Sequence, residues 1–300
     1  MMRIALVGAT GHVAGRALER VVQAGAQAVA LVRHPEKLPE SLRSRVHVEQ
    51  GTLEDGAFVV RATRGADALL WLTPTTFGAQ DFRAYTLDLA RNAARALQEN
   101  RIQRVVFVSS HGADRPGLGQ VSFAGEVEKV LEAAAPHTVS LRCAGFMENL
   151  FASVDTLKAG QLFTLLPPDK KYPLVATRDV GDVAARWLLD ATWTGHHVRG
   201  VHGPQDLSAN ELADILGRGL GRPMRCQRVP AETLRHDFMM RGMSPSVAEA
   251  YAQMFWGFGQ QDYRPSEPRT AETTTPTTFE SFARESLAPR FRATSSRPGP

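Results

Sequence analysis

Residues 3–15 read Arg3-Ile4-Ala5-Leu6-Val7-Gly8-Ala9-Thr10-Gly11-His12-Val13-Ala14-Gly15. The apolar run, the glycines and the helical spacing after them predict a buried strand, a tight turn and a helix. Glycines let a backbone approach a pyrophosphate, and the free N–H groups at a helix N-terminus attract the anion. The spacing differs from the commonest G-x-G-x-x-G fingerprint, with Ala14 at the position that governs helix–strand packing. We interpret the stretch as a dinucleotide-binding turn rather than a glycine turn of an unrelated α/β protein.

The end of the next apolar run indicates which dinucleotide is bound. Residues 28–32 predict a second strand, and an NAD site usually places an acidic residue at its end to hold the ribose 2′-hydroxyl. Residues 28–34 contain no acid; Arg33 and His34 stand there, followed by Lys37. A planar guanidinium suits a 2′-phosphate, so the pattern favours NADPH, with a solvated basic loop as the alternative.

Composition excludes several classes of protein. No apolar run approaches the ~18 residues of a membrane span, and Met1–Arg3 lead directly into the first strand, so we expect no signal peptide. Two cysteines make neither a disulfide scaffold nor a metal site, which favours the cytoplasm. Most of the net charge of +4 belongs to residues 284–300, so no nucleic-acid surface is expected. We expect a monomer or homodimer that acts on a small molecule without a membrane or nucleic-acid partner.

Strands and helices alternate in the first half of the chain, which predicts a doubly wound parallel sheet. Strands are expected at 3–8, 28–33, 45–50, 67–73, 104–109 and 138–142, and helices at 13–24, 55–64, 80–99 and 122–134. Runs such as Ala68–Leu72 are apolar at consecutive positions, as a parallel strand covered on both faces requires.

The second half is less regular and predicts a smaller α/β lobe. A helix is expected at 180–189, a strand at 198–202, and a helix after Ser208, which forms a capping box with Glu211. Further helices are expected at 150–158, 230–241, 245–259 and 279–286. The predicted domains are a nucleotide-binding domain at 1–145 with sheet contributions from about 172–203, a substrate lobe at 146–286 and a disordered tail at 287–300.

Several segments together resemble the NmrA-like group of atypical short-chain dehydrogenases/reductases. They are Gly8–Gly11, Leu31–Lys37, Val106–Ser110, Gly125–Glu128, Gly145–Leu150, Thr177–Ala184 and Pro276–Phe282. The resemblance implies a Rossmann-type domain with a small C-terminal substrate lobe and a cleft between them. The group contains NADPH-dependent reductases of quinones, dyes and other conjugated electrophiles. It also contains redox-sensing regulators with little or no catalysis, which remain the alternative.

The resemblance and the motifs together imply a set of site residues. For the cofactor these are Gly8, Thr10, Gly11, His12, Val13, Arg33, Lys37, Thr52, Leu53, Thr73, Pro74, Thr75, Ser109 and Gly145. For the substrate they are Phe77, Phe146, Met147, Asn149, Met239, Phe255 and Trp256. Thr52 stands where many relatives carry Asp, so an adenine contact there must come from a hydroxyl or the backbone. Helix capping is the alternative for Asn149, and core packing for the residues of the C-terminal helices.

The sequence lacks the tyrosine–lysine pair that commonly supplies the proton in such a site. Many short-chain dehydrogenases use Tyr-x-x-x-Lys, but no tyrosine of this chain has lysine four residues later, and Phe123 lies roughly where the tyrosine is sought. Ser110 and His111 follow the fifth strand and are the candidate catalytic residues, although Ser109 and Ser110 also suit a loop cap. Simple alcohol–ketone interconversion is therefore disfavoured, and a conjugated acceptor such as a quinone, enone or iminium is favoured.

Two smaller expectations concern charged and metal-binding residues. Glu126, Glu128 and Lys129 fall on one predicted helix and are interpreted as a solvated face. The histidines, including His196 and His197, show no ligand spacing with cysteine or carboxylate, so no metal site is expected.

Overall fold

A computed structural model describes residues 1–260 and 263–293. Its strands are β1 (Arg3–Val7), β2 (Gln27–Val32), β3 (His47–Gln50), β4 (Ala68–Trp71), β5 (Arg104–Ser110), β6 (His137–Cys143), β7 (Gly145–Phe146), β8 (Gln161–Thr164), β9 (Tyr172–Val175), β10 (His196–Val201), β11 (Asp206–Leu207) and β12 (Arg225–Arg228). Its helices are α1 (His12–Gln23), α2 (Glu40–Arg43), α3 (Gly56–Ala62), α4 (Phe82–Glu99), α5 (Gln120–Glu132), α6 (Val154–Lys158), α7 (Thr177–Leu189), α8 (Ala209–Leu220), α9 (Leu234–Met240), α10 (Pro245–Gly259), α11 (Phe279–Phe282) and α12 (Ala288–Ala293). Within the described residues, none of these helices has the length and apolar character needed to cross a bilayer.

Seven parallel strands form the central sheet in the order β10-β6-β5-β4-β1-β2-β3, which confirms the predicted doubly wound architecture. Successive side chains of each strand point to opposite faces of the sheet. On β1, Ile4 and Leu6 pack into the layer of α1 and α7, whereas Ala5 and Val7 pack into the layer of α3, α4 and α5. Because both faces are covered, the strands must be apolar at consecutive positions, as the sequence indicated.

Short polar side chains decide where the helices of the sheet layers begin. The Asp55 carboxylate accepts hydrogen bonds from the backbone N–H groups of Ala57 and Phe58 at the start of α3. Asp81 does the same for Ala84 at the start of α4. Each cap satisfies backbone donors that have no partner within the helix. Both helices therefore begin one or two residues later than their apolar pattern suggested.

Two elements from the second half return to the large sheet. Strand β10 pairs with β6 at its edge, and α7 packs against α1. The prediction of sheet contributions from residue 172 is wrong for β9. This strand pairs instead with β11 and β7 in a separate three-stranded sheet, because its backbone partners are Asp206–Leu207 and Gly145–Phe146.

The smaller lobe has its own apolar cluster, built around Leu157, Leu162, Leu216, Phe279 and Phe282. Its helix α8 begins with the predicted capping box. The Ser208 hydroxyl accepts from the Glu211 N–H at 3.2 Å, and the Glu211 carboxylate accepts from the Ser208 N–H at 2.8 Å.

The C-terminal region differs from the expected disordered tail at 287–300. Leu287 is fully buried and Phe291 packs against the apolar cluster of the smaller lobe, so the chain stays helical through α12. The polar, proline-containing composition of this tail did not reveal that Leu287 and Phe291 would make apolar contacts with the smaller lobe. Residues 294–300 of the expected tail lie outside the described residues.

Candidate active site

The turn between β1 and α1 has the geometry of an anion site. Gly8 adopts φ +71°, a left-handed conformation that glycine accepts without strain, and the Gly11 N–H donates to the Gly8 carbonyl at 2.8 Å. Helix α1 then begins at His12 with no side-chain cap and no acidic residue in its first turn. Its first N–H groups are therefore left to a ligand, and the helix dipole favours an anionic one.

A cavity of about 280 Å³ opens beside this turn at the carboxyl ends of β1, β2 and β4. Seven of the predicted cofactor residues line it, namely Gly8, Thr10, Arg33, Lys37, Leu53, Thr73 and Pro74. The remaining ones, Gly11, His12, Val13, Thr52, Thr75, Ser109 and Gly145, are not part of its wall. The parallel topology thus gathers residues that are distant in sequence at one edge of the sheet, where ligands of such folds bind.

Two cations at the end of β2 are available to a phosphate. The side chains of Arg33 and Lys37 are exposed at the cavity wall. Within residues 1–260 and 263–293, neither has an ion-pair partner. Two unpaired cations beside a nucleotide cavity suit a dianionic 2′-phosphate.

Sequence reasoning missed an acidic residue in this cavity. Glu54 lines the wall, and its carboxylate accepts a hydrogen bond from the Tyr85 hydroxyl at 2.6 Å and another from the Thr52 hydroxyl. Burial and this bond raise the pKa of Tyr85 to about 12. The Thr52 hydroxyl is therefore already engaged, and the cavity wall carries a carboxylate two residues after it. The signal for this residue in the sequence is the acidic side chain directly after Leu53.

Thr73 provides a further indication that the cavity is built for a polar ligand. Its hydroxyl is buried at the end of β4 and has no hydrogen-bond partner in the part of the chain that the structure describes. A buried polar atom without a partner costs free energy, so such an atom at a cavity wall is expected to meet a ligand group or a water molecule.

The predicted cofactor role of Ser109 does not fit its position. Its hydroxyl is buried and donates to Glu128 at 2.5 Å. Glu128 also accepts from Arg142 at 2.7 Å, and Arg142 reaches Glu267 at 2.8 Å. Glu128 is thus buried in an ion cluster and not on a solvated face, because α5 turns this position towards β5 and β6. Glu126 pairs with Arg83 at the surface.

The two candidate catalytic residues, Ser110 at the end of β5 and His111 directly after it, both have engaged side chains. His111 is buried, stacks on Phe258 with ring centroids 4.8 Å apart, and its Nδ1 lies 2.9 Å from the Tyr263 hydroxyl. Burial is the main cause that lowers its pKa to about 4, so the imidazole is neutral near pH 7. The Ser110 hydroxyl donates to the backbone carbonyl of His111 at 3.3 Å. Neither residue is part of the wall of the nucleotide cavity, and their catalytic role stays a prediction.

The predicted substrate residues in the loop after β4 and in the segment at β7 are divided between surface and core. Phe77 is half exposed, whereas Phe146 packs against the core of the large sheet. Met147 is only 3% exposed and packs in the apolar cluster of the smaller lobe, so it does not face open space. Asn149 is exposed within a 3-10 segment, Met147–Ser153, and makes no cap, because α6 begins only after Ser153.

The C-terminal helices place their large residues on two different faces. Phe255 packs against Phe238 with ring centroids 6.2 Å apart, which is core packing. Met239 and Trp256 are 40% and 62% exposed and lie outside the nucleotide cavity. On α10 the inward face is Val247, Tyr251, Met254 and Phe258, at helical spacing, so Trp256 points away from it.

Within residues 1–260 and 263–293, no group of three metal-ligating side chains occurs. An open depression of about 520 Å³ lies along α8, and its wall contains none of the predicted site residues.

The chain matches known proteins over most of its length. The model of the NmrA-like family matches residues 1–283. A (4-alkanoyl-5-oxo-2,5-dihydrofuran-3-yl)methyl phosphate reductase of Streptomyces griseus is 31% identical over 83% of this chain and 85% of its own length. An NAD(P)H azoreductase of Xenophilus azovorans is 25% identical over 84% and 86%. The structure of the Escherichia coli NADPH-dependent quinone oxidoreductase QOR2 in complex with NADPH superposes with a TM-score of 0.75 at 23% identity, over 96% of this chain and 99% of that one.

Proposed function

The chain belongs to the NmrA-like family, and from this we propose that it is an NADPH-dependent reductase of conjugated, apolar electrophiles. The observation that carries the proposal is the nucleotide cavity, which lies beside an uncapped helix N-terminus and two cations that have no ion-pair partner in the described residues. Fold alone does not imply an activity, so the proposed activity is supported by these residues and by the reactions of the relatives.

The residues present fit NADPH. The Gly8–Gly11 turn and the first N–H groups of α1 would hold the pyrophosphate, and Arg33 and Lys37 would hold the 2′-phosphate. Leu53 and Glu54 would border the adenine, and the buried Thr73 hydroxyl would bond a polar group of the cofactor. When bound, NADPH supplies two electrons and one hydrogen nucleus as hydride from its nicotinamide ring.

The proposed substrate class is supported by the substrates of the relatives and by the lack of a Tyr-x-x-x-Lys pair. The dihydrofuranone, azo and quinone substrates named for the relatives are all conjugated. A conjugated acceptor delocalises an incoming electron pair, so it depends less on a strong acid than a simple ketone does. The lack of Tyr-x-x-x-Lys and the neutral, engaged His111 agree with such acceptors.

A panel of acceptors tests the proposal. We expect the protein to oxidise NADPH with a quinone, an enone lactone, an azo dye and a cationic triphenylmethane dye, and to leave cyclohexanone unreduced. Absorbance of NADPH in a stopped-flow instrument measures the rates. Rapid reduction of cyclohexanone would contradict the substrate class. Tight NADPH binding without turnover of any acceptor would favour the alternative, a sensor of NADP(H).

Cofactor choice is a separate prediction. NADPH should bind at least ~10-fold more tightly than NADH, which corresponds to about 1.4 kcal/mol. Arg33→Ala should remove most of this preference by weakening NADPH and sparing NADH, because the guanidinium meets only the 2′-phosphate. Arg64→Ala, an exposed arginine at the opposite end of the sheet after α3, is the matched control. Fluorescence titration of both cofactors measures the ratio, and equal affinities in the unmodified protein would refute the assignment.

A further inference from the structure

We propose that the carboxylate of Glu54 selects the base of the cofactor by accepting a hydrogen bond from the exocyclic amino group of adenine, and that Tyr85 positions this carboxylate. The inference rests on the NADPH binding of the proposed function and concerns the end of the cofactor that does not react. Glu54 lies in the loop after β3, and Tyr85 lies in the first turn of α4.

The covalent structure of NADPH fixes where its base must lie. The base and the 2′-phosphate occupy adjacent carbons of one ribose, so the base lies beside the cations that hold the phosphate. In the wall of the cavity, Arg33 is accompanied by Leu53 and Glu54. Strands β2 and β3 are paired, and the Gln50 side chain at the end of β3 donates to the Arg33 carbonyl at 3.3 Å. The loop that carries Glu54 therefore begins next to the phosphate-binding end of β2.

The carboxylate of Glu54 is held from several sides. The Tyr85 hydroxyl donates to one of its oxygens at 2.6 Å, and the Thr52 hydroxyl donates to the other. The backbone is held as well, because the side-chain amide of Asn92 donates to the carbonyls of Leu53 at 2.9 Å and Glu54 at 3.3 Å. A group with a fixed orientation loses little freedom when it binds a ligand, which favours a specific contact.

The bound hydroxyls leave acceptor capacity on the carboxylate. An ionised carboxyl group offers about four lone-pair positions, and Tyr85 and Thr52 occupy two of them. Within residues 1–260 and 263–293, Glu54 forms no ion pair, although Arg33 lines the same cavity. A carboxylate at the wall of a nucleotide cavity is thus available to a donor group of the ligand.

Adenine presents such a donor, whereas hypoxanthine does not present one at the same atom. The exocyclic amino group of adenine donates hydrogen bonds, and a carboxylate only accepts them. Hypoxanthine carries a carbonyl oxygen at this position, which would face the Glu54 carboxylate with like partial charge. Because Tyr85 and Thr52 hold the carboxylate, it is not free to move to the neighbouring N1–H of hypoxanthine.

A cofactor analogue tests the selection of the base in the unmodified protein. Reduced nicotinamide hypoxanthine dinucleotide phosphate differs from NADPH only at the base, so the phosphate contacts are the same for both. NADPH should bind about 10-fold more tightly, the lower end of the range for one hydrogen bond to a charged group. Titration of nicotinamide fluorescence measures both Kd values without turnover. Equal Kd values would overturn the proposal.

Glu54→Gln should reduce the ratio of the two Kd values to less than ~3-fold. Glutamine has the same size, and its amide group can donate to the hypoxanthine oxygen as well as accept from adenine. Comparing two cofactors with equal charge removes the general effect of losing an acid beside a phosphate site. Glu36→Gln is the matched control, because Glu36 is an exposed acid that pairs with His34 and is not part of the cavity wall. It should leave the ratio unchanged. Equal weakening of both cofactors by Glu54→Gln would overturn the proposal.

Tyr85→Phe tests the positioning role, because the ring and its apolar contacts remain. A carboxylate released from Tyr85 can turn towards the N1–H of hypoxanthine, so the ratio of the two Kd values should fall about 3-fold, as expected for one weakened hydrogen bond. A merely structural role of the hydroxyl would lower the stability measured by urea unfolding and leave the ratio unchanged. An unchanged ratio would therefore refute the positioning role of Tyr85.

The outcomes separate this inference from the proposed function. Absence of NADPH binding to the unmodified protein rejects both. Reduction of conjugated acceptors together with equal Kd values for the two cofactors rejects only the selection of the base by Glu54. A 10-fold preference for adenine that Glu54→Gln removes supports the inference even if no acceptor is reduced. If Glu54→Gln does not fold, the ratio in the unmodified protein and in Tyr85→Phe decides.

Discussion

Replacing Gly11 with valine should abolish measurable NADPH binding while the fold persists. Gly11 has φ −91° and ψ 170°, an extended conformation that valine accepts, so the backbone is not strained. A Cβ there would already lie 3.2 Å from the Gly8 carbonyl oxygen, and the two methyl groups would extend over the N–H groups that begin α1. We expect a loss of affinity of at least ~100-fold, or about 2.7 kcal/mol. Fluorescence titration measures the affinity and circular dichroism the fold.

A second glycine provides the control for this substitution. Gly219 is exposed on α8, and a Cβ there meets no atom within 4 Å. Gly219→Val should therefore leave the Kd for NADPH unchanged. If Gly11→Val folds normally and binds NADPH like the unmodified protein, the turn after β1 is not the pyrophosphate site.

Replacing Arg142 with methionine should cost about 3–5 kcal/mol of unfolding free energy, the range for breaking a buried ion pair. Arg142 is 11% exposed and bonds both Glu128 and Glu267, which are 5% and 9% exposed. Hydrogen bonds to Glu128 are the main cause that raises the pKa of Arg142, so it stays charged at every accessible pH. Methionine would leave two buried carboxylates without a cation. Urea unfolding followed by circular dichroism measures the loss.

Two further variants show whether the buried charges cause the loss. Adding Glu128→Gln to Arg142→Met should restore part of the stability, because one uncompensated charge disappears and Ser109 keeps an acceptor. Arg83→Met, which breaks an exposed pair with Glu126, should change stability little. Additive losses in the double variant would show that the cluster is not electrostatically coupled.

The extent of sequence-based prediction differs between the two halves of the chain. Strands β1, β2, β4, β5 and β6 were predicted within two residues at each end, because each is apolar on both faces and bounded by turns. Residues 147–153 were expected to be partly α-helical and form a 3-10 segment, and the expected tail includes α12. In these regions, contacts with distant parts of the smaller lobe outweigh the helix propensity of the local sequence. The division of the chain near residue 145 stays a prediction.

The predicted site shows the same difference at the level of single residues. Gly8 and Arg33, which were predicted from a glycine turn and from a strand end, both line the cavity, because a turn and a strand end define their surroundings locally. Ser109, His111 and Met147 were assigned to the site from their positions in the chain, yet their side chains are engaged elsewhere. Which neighbour a side chain meets depends on residues far away, such as Glu128 and Tyr263.

The amino-acid sequence by itself determined the doubly wound sheet and the succession of strand, glycine turn and helix that begins it, because periodicity and glycine geometry act over a few neighbouring residues. Only the tertiary structure decided which acid lies in the cavity wall and which of the predicted site residues have side chains engaged elsewhere. Glu54 and His111 bond partners that lie 31 and 152 positions away, at Tyr85 and Tyr263. Burial and hydrogen bonding set the protonation and orientation of each group, and both are properties of the packed chain.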